Sequence, residues 1–471
     1  MDNLLHQCTQ LYGLVAGLRD SVTRALTTCA YTKWAAEFFS YVAQAAEATN
    51  AYLEKLASER NPARLQTYRD RIIILTNAWR YLHDFLKPAV DAHALNTPYA
   101  LVQLLNAQLR EIPSFGGANV IVGLVPTLNY YQHRHQRLRE LLQNMQRVVD
   151  GCPRFEQKIG FISLPYSRCR ALFVNCLLYH ELGHFIFEDL FLSARLYGAL
   201  RPDIEKEFAE KIPNLGPDEV AYLAYQIIPW LEEIFADVLA VKLIGPAYTF
   251  ATSELTDLMN RDDPREAIRF GARHPPDAMR LAAQLQALTK DCWAGCPDFE
   301  GNNKWHPIVT LANKPQSTYL PPISWSEKRR NALWTSTRDI LFAHVASMHE
   351  LAEEVLGASR TNPFIHYEQA SRGVSEYLAH GIIPSVLPVD GDPAQMKQVH
   401  PTCVLNAAVL FWQRGMPELY DHLEEKQADG NKVAERANLE GRLQSWTAKA
   451  IEDWLLIRAR TKAQLRVPEV L

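Results

Sequence analysis

The run from Ala171 to Leu192 constrains this chain more than any other stretch of its 471 residues. Val174, Leu177, Leu178, Leu182, Phe185, Ile186, Leu190 and Phe191 make it apolar enough to be a largely buried helix. Yet it also carries His180, Glu181, His184, Glu188 and Asp189. Those groups exclude a lipid-facing span. In a buried helix they are costly unless something satisfies them. A metal ion does so with a definite geometry. Positions four apart lie one turn apart on the same helical face, so His180 and His184 can aim two ring nitrogens at one ion. Glu181 is offset by about 100°, which puts its carboxylate beside that ion. The competing reading is a buried helix whose histidines bond carbonyls and whose glutamate sits at the rim.

The segment His180-Glu181-Leu182-Gly183-His184 fits H-E-x-x-H, a pattern of two zinc ligands and a general base. It arises by chance in roughly 1 in 100 chains of this length, so the rest of the chain has to support it. A tetrahedral catalytic site needs a third protein ligand and leaves one position open. The segment Trp230-Leu-Glu-Glu-Ile-Phe-Ala-Asp-Val-Leu-Ala240 offers one. Glu233 and Asp237 are four apart, on one helical face. Glu233 is expected to bind the ion, and Asp237 to accept a hydrogen bond from the outer nitrogen of a ligating histidine, fixing its tautomer. Glu232 has Ala236 four residues on and lacks such a partner. Glu188, one turn past His184, is the competing third ligand, but it drifts about 80° around the helix from His180.

A third element is His274-Pro275-Pro276-Asp277-Ala278-Met279-Arg280-Leu281. The ordered set of H-E-x-x-H, E-x-x-x-D followed by a small residue (Ala240), and H-P-P-x-x-x-R resembles the gluzincin metallopeptidases, most closely the HtpX-type group. The resemblance covers roughly residues 158 to 285. It implies a zinc endopeptidase with His180, His184 and Glu233 as ligands and Glu181 as base. It also implies that His274 and Arg280 lie near the substrate or hold the active-site helix. Members of that group are mostly membrane-embedded, whereas no membrane span is expected here.

Composition sets the surroundings. Hydrophobic residues make up 48% of the chain and charged residues 22%, as in an ordinary globular protein. With 49 basic and 53 acidic residues the chain has no global basic field to recruit nucleic acid. The start lacks the plan of a signal peptide. Eight cysteines in so long a chain form no disulfide framework, and Cys292 and Cys296 lack a second pair to complete a zinc site. These features point to a reducing cytoplasm.

The expected fold is α+β and predominantly helical, a zincin-like core with a small sheet between helical flanks. Residues 1–110 read as an N-terminal helical region, with apolar stripes at Trp34, Phe38, Tyr41, Val42 and Ala45 and at Ile72, Leu75, Trp79, Leu82 and Leu86. Pro88 is expected to end the second of these helices. The peptidase core is expected over 111–292. Val120-Ile121-Val122-Gly123-Leu124-Val125 and Lys158 to Leu164 read as strands, with a helix from Asn129 to Val149 between them, carrying His133 and His135 on its surface. In gluzincins a strand just before the motif helix belongs to the sheet whose edge pairs with an extended substrate, a mode that supplies main-chain hydrogen bonds. The plainer reading is a structural strand. Tyr222 and Tyr225, upstream of Glu233, read as packed tyrosines or as oxyanion donors. Residues 293–326, rich in Pro and Gly, read as a linker or cleft loop. Residues 327–471 read as a C-terminal helical region. One of its stripes runs Leu341, His344, Val345, Met348, Ala352 and Val355, with His344 a core histidine. A segment from Ser375 to Val386 and a polar loop from Pro388 to Pro393 follow. The last helix presents Leu439, Leu443, Trp446, Ala450, Trp454 and Ile457.

The function expected from these features is a zinc-dependent endopeptidase acting on a protein or peptide substrate. A peptidase in the cytoplasm must avoid indiscriminate cleavage. The flanks are therefore expected to keep it latent until a regulatory protein partner or signal arrives, as in stress response or phage defence. Rival readings are a non-catalytic zinc-containing scaffold and a zinc hydrolase of a small molecule.

Overall fold

Helices with one apolar stripe make up most of the computed structural model. It describes residues 2–28, 33–59, 61–94, 98–127, 130–133, 135–212, 214–260, 267–268, 274–290, 318–319, 327–357, 374, 377–378, 386–389, 392–413 and 432–464. The chain divides into two compact units, residues 1–97 with 115–170 and residues 98–114 with 171–471.

The first unit contains α1 (Asp2–Thr28), α2 (Lys33–Ser58), α3 (Leu65–Ala94) and α5 (His135–Val148) with strands β1 (Asn119–Val125), β2 (Tyr131–His133) and β3 (Ile159–Pro165). The expected stripes on α2 and α3 are buried from Phe38 to Ala45 and from Ile72 to Leu86. They meet β3 through Phe38, Phe85 and Phe161. Pro88 does not end α3 but lies inside it; packing of this helix on β1 sustains it across the missing backbone donor. The sheet order is β1-β3-β2. β1 and β3 are parallel, from Asn119 opposite Ile159 to Val125 opposite Pro165. β2 is antiparallel to β3. β3 is therefore the central strand, paired on both sides, and not an edge. β2 occupies part of what the sequence reads as one helix from Asn129. His133 accordingly is not a surface residue. It is half-buried in β2, its Nε2 is 3.0 Å from Ser163 Oγ, and burial lowers its pKa to about 4. The side chain of His135 lies outside the described residues.

The second unit contains α4 (Tyr99–Leu109), α6 (Leu178–Asp189), α7 (Leu192–Lys211), α8 (Pro217–Ile244), α9 (Pro246–Asn260), α10 (Asp277–Lys290), α11 (Glu327–Ala343), α12 (Val345–Leu356), α13 (Pro401–Gln413) and α14 (Lys432–Gln464). Two strand pairs accompany them. Ala267–Ile268 (β4) pairs in parallel with Thr318–Tyr319 (β5). Val386–Val389 (β6) pairs antiparallel with Asp392–Gln398 (β7), so the described residues of the expected polar loop at Pro388 to Pro393 are in strands. Helix α8 is the centre: α6, α7, α9, α10, α11, α12 and α13 all pack on it. Every residue of α8 from Glu233 to Ile244 is buried, as expected of a helix apolar on all sides. Pro217 supplies its first turn, and Glu219 reaches back to the Gly216 N–H at 2.9 Å.

The stripe ending in Val355 is buried, but it is broken at His344, which lies between α11 and α12. On α14, Leu439, Leu443 and Ala450 are buried together with Thr447 and Ile451, whereas Ile457 is exposed. Cys292, Cys296 and nearly all of 293–326 and of the segment from Ser375 lie outside the described residues. Among the described residues no helix is long and apolar enough to cross a membrane.

Candidate metal centre

The apolar run does not form one helix over its whole length. It enters through a 3-10 turn at Val174–Leu177, and α6 stops at Asp189. Phe191, read as part of the buried face, is exposed and has a left-handed backbone. The part that matters is buried on all sides: Leu178 to Phe187. Tyr179 anchors it, donating to Gln108 Oε1 of α4 at 2.6 Å, while Gln108 Nε2 donates to the Leu243 carbonyl of α8 at 3.1 Å.

Helices α6 and α8 touch backbone to backbone at one point. A Cβ placed on Gly183 would lie 2.7 Å from Ala236 Cα and 2.8 Å from Ala236 Cβ. Real Cβ atoms do not approach so closely, so only glycine fits there. Gly183 sits between His180 and His184 along α6, and Ala236 is one turn from Glu233 along α8. This contact sets the two helices close enough for their functional side chains to meet.

They meet as follows. His180 Nε2 lies 3.2 Å from Glu233 Oε2, and His184 Nε2 lies 3.4 Å from Glu233 Oε1. The two Nε2 atoms are 3.0 Å apart, and the rings are perpendicular. One ligand atom from each of His180, His184 and Glu233 falls within 4.8 Å of the others, and all three residues are buried. Glu181, also buried, is the next residue along α6 after His180. Glu188, the competing ligand, is outside this group.

The outer nitrogens are held as well. His180 Nδ1 is 2.9 Å from Asp237 Oδ1. His184 Nδ1 is 3.1 Å from Glu232 Oε1. A carboxylate on each Nδ1 favours the proton there and leaves each Nε2 with its lone pair. With both rings neutral, those lone pairs, 3.0 Å apart, would repel each other unless a cation lay between them. Glu233 Oε2 is buried and meets no donor at hydrogen-bond angles, although His274 Nδ1 lies 2.8 Å away. These donor atoms fit a cation: two imidazole nitrogens and a carboxylate are a zinc-type set.

Electrostatics follow from the contacts. Burial pushes the Glu233 carboxyl up, but His184, His180 and His274 together hold it well below the ordinary carboxylate value. Burial acts the same way on Asp237, and Arg280 and His180 overcome it. Burial disfavours protonation of His184, yet Glu233 and Glu232 raise its pKa to about 10, so a cation binding at Nε2 would displace a proton from that ring. His180 is raised by Asp237 and Glu233 against burial and the charge of Arg280.

Arg280, in the first turn of α10, grips Asp237. Its Nη2 donates to Asp237 Oδ1 at 2.7 Å and its Nε to Asp237 Oδ2 at 2.9 Å, with Nη2 also 3.2 Å from His180 Nδ1. It thus holds the carboxylate that faces His180. His274 is the solvent-facing member, with 55% of its side chain exposed. Tyr222 and Tyr225 are exposed rather than packed.

Three participants escape the sequence reading. Glu232 has no partner on its own helix; its partner, His184, is on α6. Tyr248, fully buried on α9, donates its hydroxyl to Asp237 Oδ1. The Gly183–Ala236 contact is visible in sequence only as two small residues. Comparison with known proteins finds no matching family model, no matching curated protein and no matching solved structure.

Proposed function

We propose that this chain is a zinc-dependent endopeptidase of the gluzincin type. The observation that carries the reading is the convergence of His180 Nε2, His184 Nε2 and a Glu233 oxygen within 4.8 Å, with Glu181 next to His180 on the same helix. Three protein ligands are the number a catalytic zinc uses, whereas structural sites are usually closed by four. A zinc ion there would act as a Lewis acid on a carbonyl and acidify a water toward neutral pH. Glu181 takes the proton from the attacking water and hands it to the leaving amine. His274, at the solvent-facing rim, donates to the developing oxyanion. Asp237 and Glu232 keep the two imidazoles in the tautomer that presents Nε2. The substrate is a protein or peptide segment, and the helical flanks restrain the activity until a regulatory partner or signal releases it.

The test is Glu181→Gln. This variant is expected to keep its zinc and to lose roughly 100- to 10,000-fold in turnover of a protein substrate such as unfolded casein, measured once conditions that activate the wild type are found. Undiminished turnover by Glu181→Gln would reject the general-base assignment. A scaffold that uses zinc only as a pin would show no turnover difference between the two under any condition.

A further inference from the structure

Tyr248 lies outside both sequence motifs and is nevertheless built into the centre. It is fully buried on α9, and its hydroxyl donates to Asp237 Oδ1. That oxygen also faces Arg280 Nη2 at 2.7 Å and His180 Nδ1 at 2.9 Å. Its ring is parallel to that of His180, with centroids 6.4 Å apart and planes 6° apart. The side chain that orients His180 is thus gripped from three sides, and Tyr248 is the uncharged grip.

Its place is set by the corner between α8 and α9. Gly245 caps α8 at φ 66° and ψ −146°. The Tyr248 N–H then donates to the Gly245 carbonyl at 3.1 Å, turning the chain so that Tyr248 comes back to Asp237, eleven residues earlier. Asn406 of α13 braces this corner. Its Oδ1 accepts from the Ala247 N–H at 2.7 Å, and its Nδ2 donates to the Ile244 carbonyl at 2.8 Å. Fully buried amide, corner and phenol form one continuous path from α13 to His180.

We infer that Tyr248 is a positioning residue of the metal centre: through Asp237 it fixes the orientation and tautomer of His180, and the Asn406 brace sets its own position. The inference rests on the zinc reading of His180, His184 and Glu233. Removing the hydroxyl leaves Asp237 its contacts to Arg280 and His180 but takes away its one hydroxyl donor, so His180 is less well aimed. Loss of a ligating histidine's direct partner costs about 10- to 100-fold in metal affinity, and Tyr248, one bond further out, is expected at the lower end of that range.

The test is zinc affinity by competition with a chelating dye, on full-length wild type and Tyr248→Phe. It is paired with thermal unfolding of both proteins with and without zinc. The expected result is an affinity weaker by about 10-fold, the lower end of the range for a direct partner, and a smaller zinc-dependent rise in Tm, since that rise follows the affinity. A merely structural tyrosine would lower Tm equally with and without zinc and leave the affinity unchanged, and that result overturns the inference. Asn406→Leu, uncharged and of similar size, removes the brace and leaves Tyr248 itself unaltered. It is expected to weaken zinc binding in the same direction, and wild-type affinity in this variant would remove the brace from the account. A wild type that takes up no zinc would overturn the metal reading itself, an outcome distinct from wild-type affinity in Tyr248→Phe.

Discussion

A single hydrogen atom on Gly183 decides whether the centre can form. Any side chain there meets Ala236 at 2.7 Å, and the obstacle is backbone, which cannot rotate away. Gly183→Ala is therefore expected to push α6 off α8, costing about 1–3 kcal/mol as overpacking does and abolishing zinc uptake because His180 and His184 no longer reach Glu233. Thermal unfolding and a zinc titration would show this, and a variant with normal stability and zinc uptake would contradict it. At this scale the sequence was informative where chemistry follows helical spacing. His180 with His184, and Glu233 with Asp237, are pairs set by a 3.6-residue turn. It was silent where two helices meet. Glu232 has its partner, His184, on another helix, and nothing local marks Gly183 as a contact or Tyr248 as a donor to Asp237.

At the level of elements, the corner after α8 carries a testable load. Gly245 has φ 66° and ψ −146°, a combination that side chains other than glycine rarely adopt. Gly245→Ala is expected to cost about 1–3 kcal/mol and to weaken zinc binding by displacing Tyr248. Unaltered stability would mean that the corner tolerates a side chain. Element types were legible from apolar periodicity: α2, α3 and the strands at 119–125 and 159–165 fall close to where the pattern puts them. Three features were not. Pro88 continues α3 because tertiary packing outweighs a lost donor. Residues 131–133 form a strand because β3 offers a free side there, a pairing partner thirty residues away that local sequence cannot reveal. His344 interrupts a stripe that reads as continuous, since periodicity does not register a break of one residue.

At the scale of the whole molecule, each unit holds a buried histidine that burial keeps neutral. His133 in the first unit and His349 in the second both have pKa values lowered to about 4 from an ordinary 6.5. In His349 the charges of Lys242 and Lys290 add to the effect of burial. Below the unfolded value the unfolded chain binds protons that the folded chain refuses, so stability rises with pH in that window. Both units are expected to lose stability as pH falls from about 6.5 to about 4, with no further loss from these groups below that. Denaturant unfolding at a series of pH values checks it, and replacing His133 or His349 by an uncharged residue should flatten the profile. A profile unchanged by either replacement would contradict the assignment. Contacts group the three strands with the N-terminal helices, and no local sequence signal marks that grouping. The apolar faces of α2 and α3 find their complement in β1 and β3, and an apolar stripe says that it must be covered but not by what.

The central claim is that His180, His184 and Glu233 hold one zinc ion. Its most direct test is elemental mass spectrometry on purified wild type and His180→Ala, both dialysed against zinc and then against buffer. About one zinc per chain in the wild type, lost in the variant, is the result expected of three ligands at a catalytic site. A wild type without zinc, or a His180→Ala protein that keeps it in full, would contradict the claim.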